Sequence, residues 1–171
     1  MGELYLARSD GAGGFSKLLA IKLLQPQLAE EPDLVQMFLR EGRICARLDH
    51  PNIASVIDVG VHETDFYIAM EYVHGRDLRR VLRQSHLEHR LPLECALFIV
   101  SKVCAGLHHA HTLRDANGEP SPVVHRDVTP SNVVVRYDGE VKIVDFGIAL
   151  PLAGTRATKT GTMKGTPAYM S

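Results

Sequence analysis

The stretch that most constrains this chain is a short polar loop enclosed by two apolar runs, VVHRDVTPSNVVV at residues 123–135. Apolar runs of this kind predict buried segments, so the fold has to hold both ends of the loop in its interior. Asp127 and Asn132 stand five positions apart between those ends. A loop anchored in this way can direct a carboxylate and an amide oxygen at one point, which makes it the first candidate for a functional site.

A second polar group follows a few residues later, in the sequence VDFG at 144–147. Asp145 ends an apolar strand-like run, and Gly147 gives the backbone freedom directly after it. Asp145 and Asn132 together offer the hard oxygen ligands that Mg²⁺ prefers. Asp127 would then accept a proton from an attacking hydroxyl.

Two charged residues interrupt apolar patterns in the first part of the chain. Lys22 lies inside the strand-like run LLAIKLL, and Glu41 lies on the apolar stripe of a predicted helix. A single charge in such a place is usually a solvated edge residue, whereas buried charges are costly unless they are paired. Because the two charges are opposite, they suggest a mutual pair, in which Lys22 holds phosphates and Glu41 holds Lys22.

The pattern along the chain predicts an α+β fold with two lobes. Apolar periodicity and turn residues predict strands at 4–8 and 18–24 around a glycine-rich turn, a helix at 30–48, and a strand hairpin at 55–61 and 66–73. Beyond these we expect a short helix at 75–84, a long helix at 91–113, and strands at 133–137 and 141–146. The boundary is expected near 73–75, which gives lobes at 1–73 and 74–171.

Composition excludes several classes of function. The 171 residues are 23% charged with a net charge of −1, which is not the basic footprint of a nucleic-acid-binding protein. The sequence shows neither a signal peptide nor a membrane segment, so we expect a cytoplasmic location, and an anchor in a longer parent protein stays open. Three cysteines, Cys45, Cys95 and Cys104, are expected to be small buried hydrophobes.

The order of the motifs resembles that of one family. LAIK, LREGR, MEYVHGRDL, HRDVTPSN, DFG and GTPAYMS follow one another as they do in the protein kinase superfamily, and most closely in bacterial eukaryotic-like (Hanks-type) Ser/Thr kinases. Each tripeptide alone arises by chance, but the order is specific and covers nearly the whole chain. The resemblance implies a two-lobe kinase fold that transfers the γ-phosphate of MgATP to a Ser or Thr hydroxyl of a protein substrate.

The resemblance also assigns roles to individual residues. Lys22 would bind phosphates and pair with Glu41, Asp127 would be the catalytic base, and Asn132 and Asp145 would hold Mg²⁺. Seven residues would surround the nucleoside: Leu4, Ala20 and Val134 on the adenine faces, Met70 as gatekeeper, the hinge backbones of Glu71 and Val73, and Asp77 at the ribose. For Asp77, capping of the helix that follows is an equally good assignment.

The family pattern further implies packing and regulatory roles. An apolar spine would contain Cys45, Val56, His125 and Phe146. Arg126 would pair with a phosphothreonine, for which Thr158 and Thr160 are the candidates, and autophosphorylation would involve a kinase–kinase dimer. Thr166 would lie in the substrate-docking loop and contact Asp127. A plain polar loop is the alternative for this threonine-rich segment.

Three features depart from the family pattern. Thr129 stands where these kinases usually place a lysine that contacts the γ-phosphate. Gly2 fits the last glycine of the phosphate loop, whereas Gly11, Gly13 and Gly14 lie too close to Lys22 and are expected to form the next turn. The chain also stops at GTPAYMS, just before the Pro-Glu that normally completes the activation segment in this family, so the sequence is expected to be a fragment truncated at both ends. Residues 1–171 alone are expected to show weak or no activity, with the apolar face of the 92–112 helix partly bare.

The alternative function is a weak or inactive kinase-like module that binds nucleotide or partner proteins.

Overall fold

The computed structural model describes residues 2–88 and 90–146. These residues form seven strands and four helices, in the order β1 (Gly2–Asp10), β2 (Ser16–Leu24), α1 (Pro26–Ala29), α2 (Pro32–Cys45), β3 (Val56–His62), β4 (Asp65–Glu71), β5 (Gly75–Asp77), α3 (Leu78–Glu88), α4 (Leu93–His111), β6 (Val133–Arg136) and β7 (Val141–Ile143). The predicted helices and strands are present, together with two elements that the sequence did not predict, the short helix α1 and the strand β5.

The first part of the chain is an antiparallel sheet with the order β1-β2-β4-β3, covered by α2. Helix α2 begins with proline at its first turn and buries Leu34, Val35 and Phe38 against the sheet. Gly42 allows a close approach, because a Cβ there would lie 2.9 Å from the side chain of Ile68 on β4. The helix is therefore held at a fixed distance from the strands that carry Lys22 and Glu71.

The glycine cluster near the start of the chain is a turn, as expected. It forms a single 3₁₀ turn at Ala12–Gly14 between β1 and β2. Gly13 and Gly14 have φ values of 70° and 80°, in the left-handed region that side chains rarely adopt. Gly2 is the first residue of β1 and pairs with Leu24.

The second part contains a small sheet that the sequence only partly predicts. Residues 75–84 were expected to be one short helix, but Gly75–Asp77 form strand β5, which pairs antiparallel with β6, and α3 begins at Leu78. The contact is possible because residue 75 is glycine, since a Cβ there would lie 2.3 Å from the Val135 carbonyl oxygen. The sheet order is β5-β6-β7, and β7 ends at Ile143, earlier than predicted.

Helix α4 packs on this sheet through a narrow face. Ile99, Gly106 and Ala110 are buried, whereas Leu93, Leu97 and Val100 are more than half exposed. The expectation for the cysteines is confirmed for Cys45 and wrong for Cys95 and Cys104, which lie on the exposed part of α4. By length and composition alone α4 could cross a membrane, with a mean hydropathy of 1.2. Its buried face nevertheless contacts Ile53 and Ile143 in the protein core.

The two sheets meet through the segment 52–55, which lies between β4 and β7. Ile143 N donates to the carbonyl oxygen of Asn52 at 2.8 Å, and Ala54 N donates to the carbonyl oxygen of Ile143 at 2.9 Å. The Asn52 amide donates to the carbonyl oxygen of Val141 at 2.9 Å. These bonds align β7, and the residues that follow it, with the end of β4.

Candidate active site

The candidate site lies where β2 of the first sheet faces the residues that follow β7. Lys22 Nζ is 2.9 Å from Asp145 Oδ1, and the two side chains are 15% and 34% exposed. Lys22 lies inside β2, where it pairs with Ile68 of β4 and Leu4 of β1. A cation on a central strand thus meets a partly exposed carboxylate from the segment that follows the second sheet.

The loop between α4 and β6 is anchored by His125, whose side chain is 1% exposed. His125 Nδ1 accepts from Asp127 N at 3.3 Å, so Nε2 carries the proton that it donates to the carbonyl oxygen of Val144 at 3.0 Å. The imidazole also contacts the ring of Phe146, with centroids 4.6 Å apart. Burial lowers the pKa of His125 below its ordinary value, which favours this neutral form.

Asn132 connects the two acidic residues of the site. Its side-chain nitrogen donates to the backbone oxygen of Asp127 at 2.9 Å and to Asp127 Oδ2 at 3.0 Å. Its backbone oxygen accepts from Val144 N at 2.9 Å, directly before Asp145. Asp127 and Asn132 therefore belong to one hydrogen-bonded unit, and the bond from Val144 N places Asp145, the next residue, beside it.

The donor atoms of this unit fit a magnesium ion. Both side-chain bonds of Asn132 use its amide nitrogen, which leaves Oδ1 as the amide atom that can ligate a cation. The carboxylate of Asp145 is one-third exposed and is accessible to a ligand. An amide oxygen and a carboxylate are hard ligands of the kind that Mg²⁺ binds. The backbone bond from Val144 N to Asn132 O brings the two ligand-bearing residues, Asn132 and Asp145, close together.

Two residues of the site have left-handed backbone conformations. Asp145 has a φ of 59° and Arg126 has a φ of 69°. A non-glycine residue in this region costs about 1–3 kcal/mol and persists only where the surrounding structure imposes it. The turn at Asp145 takes the chain out of the β7 ladder, which explains why the predicted strand at 141–146 ends at Ile143.

Glu41 on α2 has a different ion-pair partner from the one that we expected. Its Oε1 lies 3.7 Å from Arg126 Nη1, whereas Lys22 pairs with Asp145. Glu41 is 17% exposed, so a cation close to it is required, as the sequence indicated. Glu41 of α2 thus pairs with Arg126 of the loop between α4 and β6, and Lys22 of β2 pairs with Asp145, which follows β7.

The predicted apolar spine has two of its contacts in the structure. Cys45 Sγ donates to the carbonyl oxygen of Phe146 at 3.2 Å, next to the ring contact between Phe146 and His125. Burial, with a further contribution from the carboxylate of Glu41, raises the pKa of Cys45 to about 12. Cys45 is thus a neutral packing residue and not a reactive thiol.

The residues assigned to the nucleoside by resemblance lie around the two sheets. Ala20 pairs with Met70 across β2 and β4, and Val134 pairs with Asp77 across β5 and β6. Glu71 ends β4, and Val73 lies in the connection to β5, whereas Leu4 is 64% exposed on β1. Their contacts with a nucleotide remain predictions.

Asp77 and Thr129 have defined structural positions. Asp77 Oδ1 accepts from Arg80 N at 2.9 Å, which is the helix-capping role that the sequence offered as an alternative to the ribose contact. Thr129 is 7% exposed, and its backbone oxygen accepts from Asn132 N at 2.9 Å at the start of the 3₁₀ turn Pro130–Asn132. Thr158, Thr160 and Thr166 lie outside the described residues.

The sequence analysis missed one charged residue of this region, Lys142 on β7. Its side chain is buried, and Nζ lies 3.0 Å from Glu71 Oε2. The signal was present, because Lys142 interrupts the apolar run VKIVDF just as Lys22 interrupts LLAIKLL. The same argument about a charge in an apolar strand would have identified it.

Comparisons with known proteins identify the family of this chain. The family model described as "Protein kinase domain" matches residues 2–171. The chain is 41% identical, over its full length, to "Tyrosine-protein kinase MasK" of Myxococcus xanthus, and it covers 27% of that protein. It is 36% identical to "Serine/threonine-protein kinase PknB" of Mycobacterium leprae and 33% identical to "Serine/threonine-protein kinase PrkC" of Bacillus subtilis, of each of which it covers 26%.

The likeness extends to solved structures. The crystal structure of the Mycobacterium tuberculosis PknI kinase domain is 36% identical, with a TM-score of 0.67 over 88% of this chain and 56% of that one. The chain belongs to the protein kinase family, within the group that contains bacterial serine/threonine kinases, and the predicted α+β kinase fold is confirmed. It spans about a quarter of the length of the curated relatives named above.

Proposed function

We propose that this chain carries the MgATP-binding and phosphoryl-transfer residues of a protein serine/threonine kinase. The observation that carries the proposal is the unit in which the Asn132 side chain holds Asp127 and the Asn132 backbone holds Val144, next to Asp145. Phosphoryl transfer depends mainly on positioning and on neutralising charge. A carboxylate, an amide oxygen, a second carboxylate and a lysine held together by short contacts supply both.

Each residue has a separate task in this proposal. Asp127 accepts the proton of the acceptor hydroxyl, because its carboxylate is oriented by the Asn132 amide and its backbone by His125. Asn132 and Asp145 are the magnesium ligands, and Lys22 provides a positive charge for the phosphates of the nucleotide. Bound magnesium would neutralise the negative charge that develops on the phosphates during transfer.

The acceptor residue has two candidates. Serine and threonine are the first, because two of the relatives described above, at 33% and 36% identity, are named serine/threonine kinases. Tyrosine is the second, because the relative at 41% identity is named a tyrosine-protein kinase. A protein that binds nucleotide or partner proteins without catalysis is the alternative to both.

The test is phosphate transfer from [γ-³²P]ATP, with magnesium, to the chain itself and to an added protein substrate, at high protein concentration because residues 1–171 alone are expected to be weakly active at most. Phosphoamino acid analysis of the product should give phosphoserine or phosphothreonine. Asp127→Asn, which keeps the shape of the side chain, should abolish the signal. Phosphotyrosine alone would replace the first acceptor by the second. Nucleotide binding without transfer would favour the binding module, and labelling that survives Asp127→Asn would contradict the assignment of the base.

A further inference from the structure

A partly buried ion pair lies at the junction of the two sheets and is not part of the proposed chemistry. The side chain of Lys142 on β7 is 9% exposed, and its Nζ lies 3.0 Å from Oε2 of Glu71, the last residue of β4. We infer that this pair, called the hinge pair below, positions the end of β4 relative to Asp145 and so sets the span over which a nucleotide is bound. The inference rests on the function proposed above.

The hinge pair is built into the backbone of the segment that joins the sheets. Glu71 Oε2 also accepts from Ser55 N at 3.4 Å, and Lys142 Nζ donates to the carbonyl oxygen of Ile53 at 3.5 Å. Backbone bonds from Glu71 N to Ser55 O and from Ile143 N to Asn52 O, at 2.9 and 2.8 Å, flank these contacts. The pair therefore connects three backbone segments: the end of β4, residues 52–55, and β7.

Both ends of this connection lead to proposed nucleotide contacts. The backbone of Glu71 is assigned to the adenine, and Asp145, assigned to magnesium, follows Lys142 by three residues. A nucleoside triphosphate can span only a limited range of distances between its base and its phosphates. A shift of β7 along the end of β4 would therefore weaken the contacts at one of its two ends or force the nucleotide into a less favourable conformation.

An ion pair suits this task better than an apolar contact. Apolar side chains can slide against each other at little cost, whereas a charged hydrogen bond is directional and is lost when its partners move apart. Burial strengthens this dependence, because a lysine separated from its carboxylate would remain unsolvated. Lys142 is accordingly a positioning residue, and it does not touch the reacting atoms.

Ligand binding distinguishes a positioning role of the hinge pair from a role in stability alone. If the hinge pair only stabilised the protein, its loss would weaken the binding of all nucleotide-site ligands alike, or of none. If the pair sets the span, its loss should weaken ligands that contact both ends and spare those that contact one end. Adenosine can contact the end of β4 but has no phosphates to reach Asp145, whereas MgATP can contact both.

The experiment measures dissociation constants of MgATP and of adenosine, by calorimetry, for the wild-type chain and four variants. Lys142→Met should weaken MgATP about tenfold and leave adenosine within about twofold, a difference worth about 1.4 kcal/mol. Lys142→Arg, which keeps the charge, should recover most of the MgATP affinity. Glu140→Gln is the matched control, because it removes the exposed pair with Arg136 in the same β6–β7 hairpin.

The outcomes separate the inference from the proposed function. Equal weakening of both ligands in Lys142→Met, or no weakening of either, would overturn the positioning role while leaving the proposed function intact. A wild-type chain that binds neither ligand would overturn both. If Lys142→Met does not fold, Glu71→Gln provides the same comparison, because its amide oxygen can still accept from Ser55, and it should weaken MgATP and not adenosine.

Discussion

Two lysine–carboxylate ion pairs of the described residues join the four-stranded sheet to the second sheet, and they differ in what surrounds them. Lys22 and Asp145, the site pair, are 2.9 Å apart and 15% and 34% exposed. The hinge pair, Lys142 and Glu71, is 3.0 Å apart and 9% and 25% exposed. The two contacts are almost the same in length, but backbone groups of Ile53 and Ser55 complete only the hinge pair.

The difference indicates in which pair a ligand can replace one of the two partners. The carboxylate of the site pair faces solvent, so an incoming phosphate or metal ion can take the place of either partner. The carboxylate of the hinge pair has a second backbone donor and its lysine has a backbone acceptor, so its charges already have the partners that burial requires. Similar ion pairs can thus serve binding in one place and positioning in the other.

The largest expected effect is on phosphate transfer. Lys22→Met removes a positive charge from the phosphate end of the site, so the transfer rate should fall about 10²–10³-fold, as for removal of one electrostatic stabiliser. Lys142→Arg, which keeps the charge of the hinge pair, should lower the rate much less. Initial rates with [γ-³²P]ATP measure both. A comparable loss of transfer rate in the two variants would contradict the assignment of binding to the site pair and positioning to the hinge pair.

The next largest effect is on stability. Here the loss should be larger for the hinge pair than for the site pair. Lys142→Met leaves the partly buried carboxylate of Glu71 without its ammonium partner, which should lower the free energy of unfolding by about 1–3 kcal/mol. Lys22→Met should lower it by less, because Asp145 is one-third exposed and can be hydrated. Urea denaturation followed by circular dichroism measures both values. A larger loss in Lys22→Met would contradict the account.

The pH dependence of the free energy of unfolding should distinguish two histidines, His125 near the site pair and His50 near the hinge pair. Burial lowers the pKa of His125 below the ordinary 6.5, and burial together with His109 lowers that of His50. The unfolded chain therefore binds more protons, so the free energy of unfolding should fall as the pH decreases through about 6.5. Because His125 is the more deeply buried of the two, the slope should flatten more in His125→Gln than in His50→Gln.

Urea titrations at several pH values between 5 and 8 test this sign. Protonation of His125 at Nδ1 would also remove the acceptor for Asp127 N, so the loop between α4 and β6 should loosen over the same range. A free energy of unfolding that rises towards pH 5, or a slope unchanged in both variants, would contradict the assigned tautomer and burial.

The smallest effect concerns a carboxylate away from both pairs. Asp77→Ala removes the cap of α3 and should cost about 1 kcal/mol, whereas Asp77→Asn should retain most of the cap. If Asp77 also contacts the ribose, Asp77→Asn should weaken MgATP at nearly unchanged stability. Unchanged MgATP affinity in Asp77→Asn would leave Asp77 with the capping role alone.

Much of the fold and of the site could be predicted from local sequence patterns. Charges inside apolar runs identified Lys22 and Glu41, and the framed polar loop identified Asp127 and Asn132 before any resemblance was used. The glycine turn and the long helices also follow from local signals. These features depend on residues close together in the chain, which is where sequence patterns are informative.

The remainder depends on contacts between distant residues. Strand β5 exists because Gly75 lies against β6, some sixty positions later, and no local pattern indicates that pairing. The ion-pair partner of Lys22 depends on the left-handed backbone of Asp145, and the exposure of Cys95 depends on which face of α4 meets the second sheet. Lys142 could have been identified, but its partner could not.

The most direct test of the site is whether magnesium strengthens nucleotide binding through Asp145. We expect ATP to bind the wild-type chain more tightly with Mg²⁺ than with a chelator, by calorimetric titration. Asp145→Asn should lose this magnesium dependence while its adenosine affinity stays unchanged. Equal ATP affinity with and without magnesium in the wild-type chain, or a magnesium effect that persists in Asp145→Asn, would contradict the account.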